Sequence, residues 1–193
     1  MELDRTRFGP AGFPMGAPRE EGLKYLQQLG LGAMEYQAVR RVPKKLEPLR
    51  ELGREARERD IVLSLHAPYA INLASADERK IKASVERLFL ACLAAQAMGA
   101  RHVTFHPGYY SGREKEEALE LAISSLKELR SRLDSHGVEV ELGPETTGKP
   151  SQLGSLEEVL IMAEEVDGVL PTIDFAHIHA REGGILRTRE DYA

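Results

Sequence analysis

Apolar positions along the chain follow two rhythms. The first recurs every three to four residues, as one face of a helix requires. Leu23, Leu26 and Leu29 make such a stripe, ended by Gly30, and Leu46, Leu49, Leu52 and Ala56 make a second. Ile81, Val85, Leu88 and Cys92 form a third that ends near Gly99; Ala122, Leu126, Leu129 and Leu133 form a fourth, stopped by Gly137. A fifth helix opens on Ser155-Leu156-Glu157-Glu158, a capping box in which serine and glutamate satisfy each other's free backbone amides, and carries Val159, Leu160, Ala163 and Val166. Thr188-Arg189-Glu190-Asp191 reads as the opening of a sixth. The second rhythm has period two or is continuously apolar, and it predicts strands at 7–8, 33–36, 61–66, 102–106, 138–142 and 169–174. Strands and helices alternating through short loops imply a parallel sheet with crossover helices.

Side chains alternate across a strand, so the pattern also assigns faces. In 61–66, Ile61, Leu63 and Leu65 suit a helix layer, which turns Val62, Ser64 and His66 the other way. In 102–106, Val103 and Phe105 face helices, and His102, Thr104 and His106 face inward. Glu139, Glu141, Gly143 and Glu145 share the inward face if the fifth strand continues; Leu170, Thr172 and Asp174 share that of the sixth. One face therefore ends, strand after strand, in His66, His106, Glu145 and Asp174. Each stands at a strand's C-terminal end, where barrel enzymes place their active sites. A doubly wound open sheet is the rival architecture, but it gathers ligands at one crevice. Four strands aiming at one point favour a TIM-type (β/α) barrel.

Two imidazoles and two carboxylates suit zinc, manganese or iron. A metal in such a set can bring the pKa of a coordinated water to about 7. His177, three residues after Asp174, either reaches the same mouth or begins a helix, and His179 reads as a surface or outer residue. His102 lies at the opposite end of its strand and is expected to be structural.

Composition narrows the classes. At 193 residues the chain is shorter than the roughly 250 of a full eight-unit barrel, so about six βα units are expected in a single domain spanning 1–193, truncated at its C-terminus. No apolar run reaches the roughly 20 residues that span a bilayer. Met1-Glu2-Leu3-Asp4-Arg5 lacks a signal-peptide pattern, and the one cysteine, Cys92, excludes an internal disulfide. A cytoplasmic location is expected. The net charge of -5 weighs mildly against nucleic acid, although phosphate binding depends on local patches.

Four blocks resemble the endonuclease IV family, the second family of AP endonucleases, within the xylose isomerase-like barrels. They are His66-Ala67-Pro68-Tyr69-Ala70-Ile71-Asn72-Leu73; Phe105-His106-Pro107-Gly108; Pro144-Glu145-Thr146-Thr147-Gly148 with Leu153-Gly154; and Ile173-Asp174-Phe175-Ala176-His177. They occur in the family's order. The resemblance implies a three-zinc cluster, with manganese as a substitute, and base-excision-repair hydrolysis of double-stranded DNA 5′ to abasic sites by a monomer. It implies that His66 and His106 bind one zinc, that Glu145 bridges to a second also bound by Asp174, and that His177 belongs to the third. Glu145 is then the catalytic residue, and Tyr69 matches an aromatic used near the lesion. Ala67 departs from the Asp many members carry after the first His, and the family's later ligands have no counterpart before Ala193.

Arg40, Arg41, Lys44 and Lys45 follow the second strand on the site's side and read either as a phosphate-contact loop or as a solvated helix entry. Tyr109 and Tyr110 either line the groove or pack. Two other functions stay open: a sugar isomerase or epimerase of the same barrel group, and a truncated remnant that binds metal or DNA without catalysis.

Overall fold

The computed structural model describes residues 5–192. Met1 to Asp4, on which most of the N-terminal reading rests, and Ala193 lie outside them. The strands are β1 (Ala33–Gln37), β2 (Val62–His66), β3 (His102–Phe105), β4 (Gly108–Tyr109), β5 (Glu141–Pro144) and β6 (Gln152–Leu153). The helices are α1 (Gly22–Gln28), α2 (Glu47–Glu58), α3 (Glu78–Ala97), α4 (Lys115–Ser135), α5 (Leu156–Glu165) and α6 (Phe175–Arg181).

The main sheet runs β1-β2-β3-β5, all parallel. That order never reverses, so the sheet has no switch point of the doubly wound kind. Helices α2, α3, α4 and α5 pack side by side in chain order, as the outer ring of a barrel does. Between ring and sheet lie Leu63, Leu65, Val103, Phe105 and Leu142 against Leu88, Cys92, Leu126, Leu129 and Leu133, all buried. Each such leucine contributes about 1.5–3 kcal/mol by leaving water. Leu29 and Leu160, expected on the buried stripes, are instead 55% and 45% exposed: Leu29 is already the C-cap of α1, and Leu160 lies on the outer side of α5. No helix among the described residues is long and apolar enough to cross a membrane.

The first and last predicted strands are extended segments. Phe8 and Pro10 carbonyls accept from Gly32, Ala33 and Glu35 beside β1, but Pro10 has no N–H to extend a ladder. Residues 169–174 hydrogen-bond along β5 on one side: Leu170 N–H donates to Leu142 and Thr172 N–H to Pro144. The fifth strand is shifted from 138–142 to Glu141–Pro144 because Arg130 intercepts its start. The Arg130 guanidinium donates to the carbonyls of Val138 (2.7 Å) and Val140 (2.9 Å), which a ladder would otherwise use.

The β4–β6 pair is antiparallel and has no signal in the hydrophobic pattern; it joins the loops that follow β3 and β5. Gly108 has φ +120°, and a Cβ there would lie 2.5 Å from Asn72. Asn72 bolts this region together: its Oδ1 accepts from Ala74 and Tyr109 N–H, and its Nδ2 donates to Ser111. Helix α6 precedes the helix expected near Thr188, where a 3-10 turn (Arg189–Tyr192) stands instead.

Candidate metal centre

His66 ends β2, and its ring stays buried because Leu63 and Leu65 fix the register of the strand against the helices. Its Nδ1 donates to the Ala67 carbonyl (2.8 Å), which leaves Nε2 directed at Glu145 Oε2, 3.2 Å away. His106, just past β3, places Nε2 2.8 Å from the same oxygen. Glu145 follows β5 and is 7% exposed. Its other oxygen lies 3.7 Å from His177 Nδ1.

Asp174 and His177 form a local unit. Asp174 is the N-cap of α6, and its carboxylate accepts from His177 N–H at 2.8 Å. An Asp-x-x-His spacing is thus also a capping geometry, which starts the helix and turns the imidazole towards the mouth. His177 Nδ1 donates to the Thr146 carbonyl (2.8 Å), and Thr146 Oγ1 accepts from Asp174 N–H (2.8 Å).

Two three-residue groups result, and they share one member. One donor atom each from His66, His106 and Glu145 lies within 4.8 Å of the others; the same holds for Glu145, Asp174 and His177. The structure thus puts His177 in one group with Glu145 and Asp174, where the resemblance implied a separate third position for it. These donors fit divalent cations: His66 turns Nε2 to the cluster with Nδ1 tied to a backbone carbonyl, as metal-ligating histidines usually are, and Glu145 offers a carboxylate with two usable oxygens.

The electrostatics agree with a charged carboxylate. Burial would raise the Glu145 pKa, but hydrogen bonds from His106 and His66 and the charges of both rings overcome it and hold the carboxyl at about 2. For His66, burial opposes the charged ring; the bonds to Glu145 and Ala67 and the charges of Glu35 and Glu145 outweigh it and raise its pKa. His102, at the far end of β3, has its pKa lowered by burial, and its Nε2 meets Thr172 Oγ1 at 2.8 Å, in keeping with a structural residue.

Around the centre, Tyr69 stands with its ring 5.2 Å from that of His66 and 5.4 Å from that of His106, and is 58% exposed. Arg40, Arg41, Lys44 and Lys45 are all exposed in the connection from β1 to α2. That connection is tied to the site, because Tyr69 N–H donates to Val39, the residue before Arg40. Arg41, Lys44 and Lys45 line a shallow cleft of about 330 Å³ with Tyr36 and Pro48. Tyr109 is exposed on β4, whereas Tyr110 is buried and bonded to Glu158 and Arg181, so it packs and does not line the groove. His179 is exposed on α6. Sequence reasoning misses Thr146, which holds both Asp174 and His177, and Arg181, whose one signal is its four-residue spacing from His177.

A parallel β/α wall with a cluster of metal-type donors at its C-terminal edge is the arrangement of a barrel with a candidate metal site. The chain belongs to the xylose isomerase-like TIM barrel family, whose model matches residues 23–193. It is 38% identical over 183 residues to the uncharacterized protein MJ0133 of Methanocaldococcus jannaschii, covering 93% of this chain and 64% of that protein. It is 31% identical over 120 residues to a probable endonuclease 4 of Acholeplasma laidlawii, covering 60% of this chain and 40% of the relative. Among solved structures, endonuclease IV from Thermus thermophilus matches at TM-score 0.62 and 26% identity, over 82% of this chain and 58% of that one. D-psicose 3-epimerase from Clostridium cellulolyticum matches at TM-score 0.69 and 17% identity, over 88% and 63%, a likeness of fold alone. The chain thus spans less than two thirds of the length of these relatives. Endonuclease and epimerase neighbours share the family's barrel.

Proposed function

We propose that this chain belongs to a zinc-dependent endonuclease that hydrolyses double-stranded DNA 5′ to abasic sites, with His66, His106, Glu145, Asp174 and His177 as metal ligands. The observation that carries this reading is Glu145, a buried carboxylate shared by two adjoining ligand groups. Sequence similarity supports it, since the relatives near 30% identity include endonuclease 4 proteins, while the epimerase likeness is one of fold. In this reading residues 1–193 lie in one (β/α)-barrel domain.

Cations in these groups would polarise a phosphodiester and acidify a water, manganese serving in place of zinc. The chain's own part is to keep Glu145 ionised, with each oxygen turned to a different ligand pair. The Ala67 and Thr146 carbonyls fix the orientations of His66 and His177. Tyr69, exposed beside His66 and His106, offers a face for an unstacked sugar or base. Arg40, Arg41, Lys44 and Lys45 offer phosphate contacts that set position and carry no sequence information.

The test is incision of a duplex holding one abasic site. Cleavage on the 5′ side is expected, abolished by chelator, restored by zinc and lost in Glu145→Gln. If the purified protein leaves this duplex intact but interconverts free ketoses in a metal-dependent way, the epimerase reading replaces this one.

A further inference from the structure

Arg181 lies one helical turn after His177, so both project from the same face of α6. Its side chain is only 7% exposed. Nη1 donates to the carbonyls of Lys149 (2.8 Å) and Gln152 (3.0 Å) and to Thr147 Oγ1 (3.1 Å). Nη2 donates to the Tyr110 hydroxyl (2.9 Å), which in turn donates to Glu158 (2.8 Å). Glu158 also accepts the backbone N–H groups of Gly154 and Ser155, where the same loop enters α5. The loop after Glu145 is therefore gripped along its length from α6. The grip begins at the metal centre, because His177 and Asp174 both bond Thr146.

A buried guanidinium is a costly way to hold two elements together; apolar side chains of similar volume often do so as well or better. What it adds is direction, since a planar fork reaches acceptors on two sides at fixed angles. Here one side of the fork meets the loop that carries Glu145, and the other meets the Tyr110–Glu158 pair.

We propose that Arg181 is a positioning residue for the second cation: by clamping α6 to the loop after Glu145, it sets the separation between the Glu145 carboxylate and the Asp174–His177 pair. The proposal rests on the reading of these three residues as metal ligands. It assigns Arg181 no contact with substrate or metal.

The test is a zinc titration of the full chain, stripped by chelator, against a competing fluorescent chelator. The parent, Arg181→Met, Arg181→Lys and Tyr110→Phe are compared, and His66→Ala and Asp174→Asn identify which affinity belongs to which group. Residues that orient metal ligands typically change affinity by about 10–100-fold. Arg181→Met is expected to weaken the affinity that Asp174→Asn removes by about 10–100-fold, and to leave the one that His66→Ala removes essentially at its parental value. Arg181→Lys, which fills only one side of the fork, and Tyr110→Phe, which empties the other, are expected to show smaller losses at that same affinity. They decide the matter if Arg181→Met does not fold. Parental affinities in all variants, or equal losses at both, would reduce Arg181 to a structural residue and overturn the inference. A parent that binds no second zinc overturns both the inference and the ligand reading, and the parent titration alone reveals it.

Discussion

Glu145→Gln removes a charge from the middle of the ligand cluster and leaves the shape of the side chain. In chelated protein its cost can be worked from the surroundings of Glu145. The carboxyl is held at about 2 against its ordinary 4.5. A tenfold change in acidity corresponds to about 1.4 kcal/mol, so the ionised carboxylate, with its imidazole contacts set against its burial, stabilises the fold by a net of about 3 kcal/mol. Hydrogen bonds to charged groups, at about 1.5–3 kcal/mol, give the same size, and the two figures describe one interaction. The pH dependence is specific. A depressed carboxyl contributes fully above about 4.5 and loses that contribution as pH falls through about 2. His66, whose pKa is raised, contributes fully below its ordinary 6.5 and loses it as pH rises through its folded value. The stability difference between parent and Glu145→Gln is therefore expected to peak near pH ~5.5, at about 3 kcal/mol, and to shrink on both sides. Urea unfolding of chelated protein at pH values of about 3, 5.5 and 8 measures it. A difference that does not vary with pH, or one near zero at the middle value, would refute the electrostatic account of the cluster.

Replacing Arg40 and Lys44 by Gln is expected to weaken DNA binding and to lower the log–log salt slope by about 0.9 for each phosphate no longer neutralised; an unchanged slope assigns the run to a solvated loop. Gly143→Ala places a Cβ 2.1 Å from His102 Nε2 and 2.7 Å from Thr172 Oγ1. Overpacking of this kind costs about 1–3 kcal/mol, measurable by urea unfolding, while zinc affinity is expected to stay parental because both neighbours lie below the ligand layer. Ser155→Ala breaks the capping box of α5 and is expected to cost about 1 kcal/mol in thermal unfolding.

Much of the site is legible in the sequence because side-chain alternation is a local property. Leu63 and Leu65 must face the helices, so His66 must face inward, and Val103 and Phe105 do the same for His106. Glu145 reaches the expected inward face although its strand is shifted, since a strand that starts later along the chain keeps the alternation of its residues. The shift itself is hidden: Arg130 reaches the carbonyls of Val138 and Val140 from the preceding helix, and no pattern in 138–142 records that. The α6 start is half visible, because Asp-x-x-His fits a cap as well as a ligand pair, and seven residues are too few for a periodic stripe. Tyr110 and Arg181 are illegible for a different reason. Their bond joins positions 71 residues apart, and a tyrosine beside a ligand reads equally as a groove residue. The family's barrel class and the convergence of its strand ends thus follow from periodicity, whereas the struts that hold the loops depend on contacts made only after folding.

The central claim is that Glu145 is shared between two cation positions. Crystals of the protein grown with zinc, measured at the zinc absorption edge, test it directly. Two anomalous peaks are expected about 3.5–4 Å apart, one on each side of the Glu145 carboxylate. The first should lie about 2.0–2.2 Å from His66 and His106 nitrogens, and the second the same distance from Asp174 or His177. One peak bound to a single oxygen of Glu145, or peaks that Glu145 does not touch, would contradict the account.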